Sequence, residues 1–229
     1  MKLFCFTFAG GTAAFFEPLD DYLPHEISVV KLEYAGHGER HQEAFYRNFE
    51  ELSEDLSRLL LHHIAPEEPY AMFGYSMGSI ACVEVLKKLL AQGGSLPKCV
   101  FLAAHAPCCK EELGGYSSQE LDEYVKKRTL AFGGVPDELA GNALFWRIYL
   151  PVFKADYALI ANYQFSPPRP PFAVPAVVFY SEQDTPLVEM QRWNTWFAMP
   201  PKFNRFDGTH FFYRNHVPEI ATVINVAMR

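Results

Sequence analysis

Residues 3–8, 27–32, 70–75, 99–104 and 174–180 are short, largely apolar runs, the pattern of strands buried on both faces of a sheet. A sixth, more polar run at 202–206 completes the series. Between them, apolar positions return at helical spacing. Phe49, Leu52, Leu56, Leu59 and Leu60 predict an amphipathic helix that reaches His62-His63 and opens on Asn48-Phe49-Glu50-Glu51, a sequence resembling a capping box. Ile80, Val83, Leu86 and Leu90 mark a helix ending at Gly93-Gly94, which suits a C-cap. Further helices are expected with Phe15, Phe16, Leu19 and Tyr22 buried, with Met190, Trp193 and Trp196, and with Ile220, Val223, Ile224 and Ala227 behind Pro218. Strands alternating with helices predict an α/β fold with a mainly parallel central sheet flanked by helices.

The alternation lapses between Cys108 and about Phe165. Glycine pairs at Gly114-Gly115 and Gly133-Gly134 punctuate helical patterns, and one stretch holds Phe145, Trp146, Tyr149, Phe153, Tyr157 and Tyr163. Short helices joined by glycines and rich in aromatics suit a mobile lid over an apolar channel, an insertion at about residues 110–165. A helical layer packed on the sheet is the competing expectation. The prolines of 167–171 then read as a stiff connector back to the sheet.

Length and charge narrow the function classes. With 229 residues, 49% of them apolar, the chain suits one domain, 1–229, with the lid inserted in it. A net charge of -7 without any basic run argues against a nucleic-acid partner. No run of about 18 apolar residues occurs, so no membrane span is expected. Met1-Lys2-Leu3-Phe4-Cys5-Phe6 reads as the first strand rather than a leader, because Gly10-Gly11-Thr12 interrupts the apolar run. Cys5, Cys82, Cys99, Cys108 and Cys109 form an odd set best explained as reduced thiols in a cytoplasm.

Candidate chemistry centres on Gly74-Tyr75-Ser76-Met77-Gly78, a G-x-S-x-G pattern between a predicted strand and a predicted helix. That context marks a nucleophile elbow, in which a sharp turn exposes the serine hydroxyl and the flanking glycines leave room for the bend. Ala9-Gly10-Gly11 follows the first strand; it is either a plain turn or a loop donating the Ala9 N–H to an oxyanion, with Met77 N–H as the second donor. Asp184 and His210 each lie just past a predicted strand. The order Ser76, Asp184, His210 is that of the α/β-hydrolase fold. An imidazole can take the serine proton, and a carboxylate can fix its tautomer. Glu182 and Asp207 compete for the acid role; His105 and His37 fall outside the order. The loop Tyr34-Ala35-Gly36-His37-Gly38-Glu39-Arg40 either faces the site or is a solvated connection, with His37 and His41 expected at the surface. No metal motif and no phosphate-binding glycine loop is present, so no cofactor is expected.

Together, Phe8-Ala9-Gly10-Gly11, Gly36-His37-Gly38-Glu39-Arg40, Phe73-Gly74-Tyr75-Ser76-Met77-Gly78, Leu150-Pro151, Lys154-Ala155-Asp156-Tyr157 and Phe206-Asp207-Gly208-Thr209-His210-Phe211-Phe212 span nearly the whole chain. This set resembles the type II thioesterases, the editing enzymes of nonribosomal peptide and polyketide synthesis. The resemblance implies Ser76 as nucleophile, Asp184 as acid, His210 as base, and the amides of Ala9 and Met77 as oxyanion hole. It implies hydrolysis of acyl or aminoacyl thioesters on the phosphopantetheine arm of acyl- or peptidyl-carrier proteins. Docking is expected to be weak and transient, because carrier proteins are commonly acidic and so is this chain; a cytoplasmic monomer is expected. Tyr75 stands where histidine is common, Ala35 where proline is usual and Lys154 where arginine is usual. Competing readings are an acyl-CoA thioesterase or carboxylesterase acting on free molecules, and a catalytically silent binding protein of the same fold.

Overall fold

A computed structural model describes all residues of the chain except 66, 109–112 and 115. Cys109, Gly115 and the expected start of the lid near residue 110 therefore lie outside the described residues. Six strands, β1 (Lys2–Phe6), β2 (Ser28–Leu32), β3 (Tyr70–Tyr75), β4 (Val100–Ala103), β5 (Ala176–Tyr180) and β6 (Lys202–Arg205), form a single sheet. Its order is β2-β1-β3-β4-β5-β6, and every neighbouring pair is parallel.

The strands are apolar at successive positions because both faces are covered. Phe4, Phe6, Met72, Leu102 and Val178 enter one core with α1 (Phe49–His63) and α2 (Met77–Ala91). Leu3, Cys5, Phe73, Phe101 and Phe179 point the other way, into a core with α7 (Val217–Met228). Alternate side chains of one strand thus serve two cores, as the pleat requires. Asn48 caps α1 by accepting the Glu51 N–H at 2.9 Å, while the Glu51 carboxylate takes the Arg47 N–H rather than completing the capping box. Gly93, at φ 77°, ends α2.

From β1 the chain runs outward to β2, then returns past β1 to β3 and continues through β4, β5 and β6. The order reverses between β1 and β3. At such a reversal the connections at the carboxyl ends leave on opposite faces, opening a crevice. The loop after β1 and the turn after β3 flank that crevice.

Between β4 and β5 lie α3 (Ser118–Phe132), α4 (Asp137–Ala140) and α5 (Ala143–Asn162). Rather than short pieces, most of the aromatic stretch forms one 20-residue helix that runs through Pro151. Its buried Trp146, Phe153, Tyr157 and Ile160 recur at helical spacing, so one stripe packs against the rest of the molecule. After β5 come α6 (Leu187–Met190) and a 3-10 segment, Gln191–Thr195. One expectation is corrected near the start. The segment Ala13–Asp21 is a 3-10 helix that buries Phe16 and Leu19, whereas Tyr22 lies past its end and is 53% exposed.

Candidate active site

Ser76 joins β3 to α2 with φ 55° and ψ -120°, a backbone conformation that non-glycine residues rarely adopt. Its own N–H donates to Ala103 O at 2.8 Å, tying the turn to the end of β4. The flanking glycines are required by contact. A Cβ on Gly74 would stand 2.2 Å from Gly78 O, and one on Gly78 would stand 1.9 Å from Phe6 O. Only without those side chains can β3, α2 and β1 close around the serine.

The structure brings Ser76, Asp184 and His210 together. His210 Nε2 lies 2.9 Å from Ser76 Oγ, and His210 Nδ1 lies 2.9 Å from Asp184 Oδ1. An ionised carboxylate only accepts, so Nδ1 carries the hydrogen and Nε2 accepts from the serine hydroxyl. The histidine and aspartate side chains are 9% and 8% exposed. Their loops are linked as well, since Ser181 Oγ donates to Gly208 O. The competing acids lie elsewhere. The Glu182 carboxylate accepts the Leu187 N–H at the start of α6, and Asp207 is 80% exposed beside Arg205.

A cavity of about 270 Å³ opens over the three residues. Phe8 and Ala9 border it from the β1 loop, Ala104, His105 and Ala106 from the β4 loop, and Arg128, Thr129, Phe132, Tyr157 and Ile160 from α3 and α5. The Phe132 ring lies 4.5 Å from the His210 ring. Met77 is the first residue of α2, where a backbone N–H has no acceptor within its helix. Ala9 lies on the cavity wall in a turn closed by Gly11 N–H to Phe8 O at 2.9 Å. Among the described residues no group of three His, Cys, Asp or Glu side chains is arranged to hold a metal ion.

Sequence reasoning placed His37 wrongly and gave Asp156 no role of its own. His37, expected at the surface, is 3% exposed, and its Nε2 lies 2.9 Å from Asp156 Oδ2. Burial opposes charge on this imidazole, but the charge and hydrogen bond of Asp156, aided by Ala35 O and Glu33, hold it above the ordinary histidine range. The loop is no solvated connection: Arg40 donates to Asp55 of α1 at 2.7 Å and to Glu33 O at 3.0 Å. Asp156 did leave a signal. It sits at i+3 from Phe153 and i-4 from Ile160, a carboxylate on the apolar stripe of α5, and such a residue needs a buried partner.

Comparison with known proteins identifies the family. The family model described as "Thioesterase domain" matches residues 1–227. Linear gramicidin dehydrogenase LgrE of Brevibacillus parabrevis is 26% identical over 99% of this chain and 87% of its own length. The probable cadicidin biosynthesis thioesterase of Streptomyces griseus is 27% identical over 100% of this chain and 62% of its own length. Among solved structures, the RedJ thioesterase of the prodiginine pathway in Streptomyces coelicolor aligns with a TM-score of 0.86 and 25% identity, covering 97% of this chain and 89% of that one. With a parallel α/β sheet, a serine elbow at its switch point and a family match along nearly its whole length, the chain belongs to the thioesterase family, hydrolases that act on thioesters.

Proposed function

We propose that the protein is a type II thioesterase that removes aberrant or stalled acyl and aminoacyl groups from the phosphopantetheine arm of carrier proteins in nonribosomal peptide or polyketide synthesis. The supporting observation is the Ser76–His210–Asp184 hydrogen-bonded chain at the floor of a cavity bordered by Ala9. Ser76 Oγ attacks the thioester carbonyl while His210 Nε2 takes its proton. The carbonyl oxygen becomes an oxyanion held by the Met77 and Ala9 N–H groups. As the C–S bond breaks, His210 returns the proton to the departing thiol. It then activates water, which releases the acid from Ser76. The protein supplies no cofactor to these steps; the pantetheine arm belongs to the substrate.

The carrier reading draws on the relatives named for cadicidin and prodiginine biosynthesis. The dehydrogenase name of one relative finds no support in this sequence, which lacks a G-x-G-x-x-G fingerprint. Helices α3 to α5 serve as a lid on the cavity, and carriers dock briefly at its rim to a monomer in the cytoplasm. Turnover of acyl-carrier protein against the matching acyl-CoA tests the substrate class. A clear preference for the carrier is expected; equal or better hydrolysis of the CoA thioester assigns the protein to free acyl-CoA instead.

A further inference from the structure

Three segments meet at the loop after β1, through polar groups that the Ser76 chain does not use. Asp156 of α5 and His37 of the loop after β2 are 2% and 3% exposed. The Asp156 oxygen that faces His37 Nε2 also accepts the Gly10 N–H at 2.6 Å. On the other side of the ring, His37 Nδ1 lies 3.1 Å from Ala35 O. A carbonyl and a carboxylate both accept only, so a fully bonded network has hydrogen on both ring nitrogens and His37 as a cation beside an anionic Asp156. Other groups facing His37 favour that cation or are neutral. Glu33 lies nearby from the segment after β2, the Tyr34 ring meets the imidazole edge-on at 5.7 Å, and the Phe45 ring stands at 6.2 Å.

The same loop is pressed from a second point on α5. A Cβ on Gly10, at φ 77°, would stand 2.0 Å from the Phe153 ring, one turn before Asp156. Gly10 is therefore pinned by a side-chain ring and a carboxylate of one helix. Its neighbour in the chain is Ala9.

We infer that the buried His37–Asp156 pair is a positioning clamp: through the Gly10 N–H it fixes the loop that presents Ala9 to the oxyanion, making the seating of α5 a condition of transition-state stabilisation. The inference rests on the proposed oxyanion role of Ala9. A clamp differs from a merely structural ion pair in what its loss does. A structural pair lowers the folded fraction and leaves each folded molecule as active as before. A clamp lowers kcat in the folded enzyme and leaves substrate binding intact.

Asp156→Asn keeps the shape and an amide oxygen for Gly10 but removes the charge that holds His37. In folded enzyme, kcat is expected to fall about 10- to 100-fold, less than the roughly 10²–10³ of losing an oxyanion donor outright, with KM little changed. Affinity for a boronic acid that forms a tetrahedral adduct on Ser76 should fall by the same factor. His37→Gln should behave alike. Unchanged kcat and boronate affinity in either folded variant overturn the clamp. Ser76→Ala separates the two ideas, because turnover surviving in that variant overturns the serine reading itself. NMR of the unaltered protein supplies a test independent of variant folding: the Gly10 amide resonance should titrate with the His37 ring. A Gly10 amide that stays flat while His37 titrates overturns the inference.

Discussion

Tyr75 ties the turn at Ser76 to the loop that carries His210. It is fully buried, and its hydroxyl donates to His210 O at 2.6 Å and accepts the Tyr213 N–H at 3.4 Å. Burial keeps the phenol protonated far above its ordinary range, so it remains a donor throughout the working pH range. The residue standing where type II thioesterases commonly have histidine thus anchors the backbone of His210, the proposed base. Tyr75→Phe removes only the hydroxyl and leaves His210 O and Tyr213 N–H short of a partner. A stability loss of about 1–3 kcal/mol is expected, readable as a shifted urea midpoint, with a modest loss of kcat and no change in KM. An unchanged midpoint contradicts the anchor. Replacing the proposed nucleophile is harsher: Ser76→Ala should lose on the order of 10⁴ or more in turnover. Residues of the G-x-S-x-G elbow and the Ser, Asp, His order were legible because local spacing carries them. The His37–Asp156 pair was not, since its members lie 119 positions apart and no local spacing names either as the other's partner.

Among the elements, those with a clean stripe and a local stop signal were read most closely. Helix α1 matches its amphipathic pattern and Asn48 cap, and α2 ends where Gly93 takes a left-handed conformation. The segment after β1 was misjudged at its end, because a 3-10 winding with Pro18 inside stops before Tyr22. Helix α5 was read as fragments, because Pro151 and clustered aromatics obscure a stripe that only its tertiary packing defines. Packing between elements makes its own prediction. Gly78→Ala places a methyl 1.9 Å from Phe6 O, a backbone atom that cannot swing away. Helix α2 must then separate from β1, and a loss of at least about 1–3 kcal/mol is expected in chemical denaturation. Wild-type stability in that variant would contradict the close approach. For the lid, hydrogen exchange should find α3 to α5 more labile than β3 and β4. Equal protection would show a static layer.

At the scale of the molecule, the parallel sheet and the placement of Ser76, Asp184 and His210 at its carboxyl edge followed from alternating strand and helix patterns. The cavity shape did not, because it depends on how α3 and α5 fold over the edge. Charge adds a global consequence. His37 has a raised pKa in the folded protein, so its contribution to stability is complete below the unfolded value of about 6.5 and is lost as pH rises through the folded value. The melting temperature should therefore decline over that interval, and His37→Gln should flatten this part of the curve. A pH-independent melting temperature across it would contradict the buried charged pair.

The central claim is that Ser76 carries the acyl group on its way from thiol to water. Rapid quenching of enzyme mixed with an acyl-carrier protein, followed by peptide mass spectrometry, tests it directly. The expected result is one acyl group on the peptide containing Ser76, formed before steady-state release of the acid. Steady turnover with no acyl group on that serine, or with the group on another residue, would contradict the account.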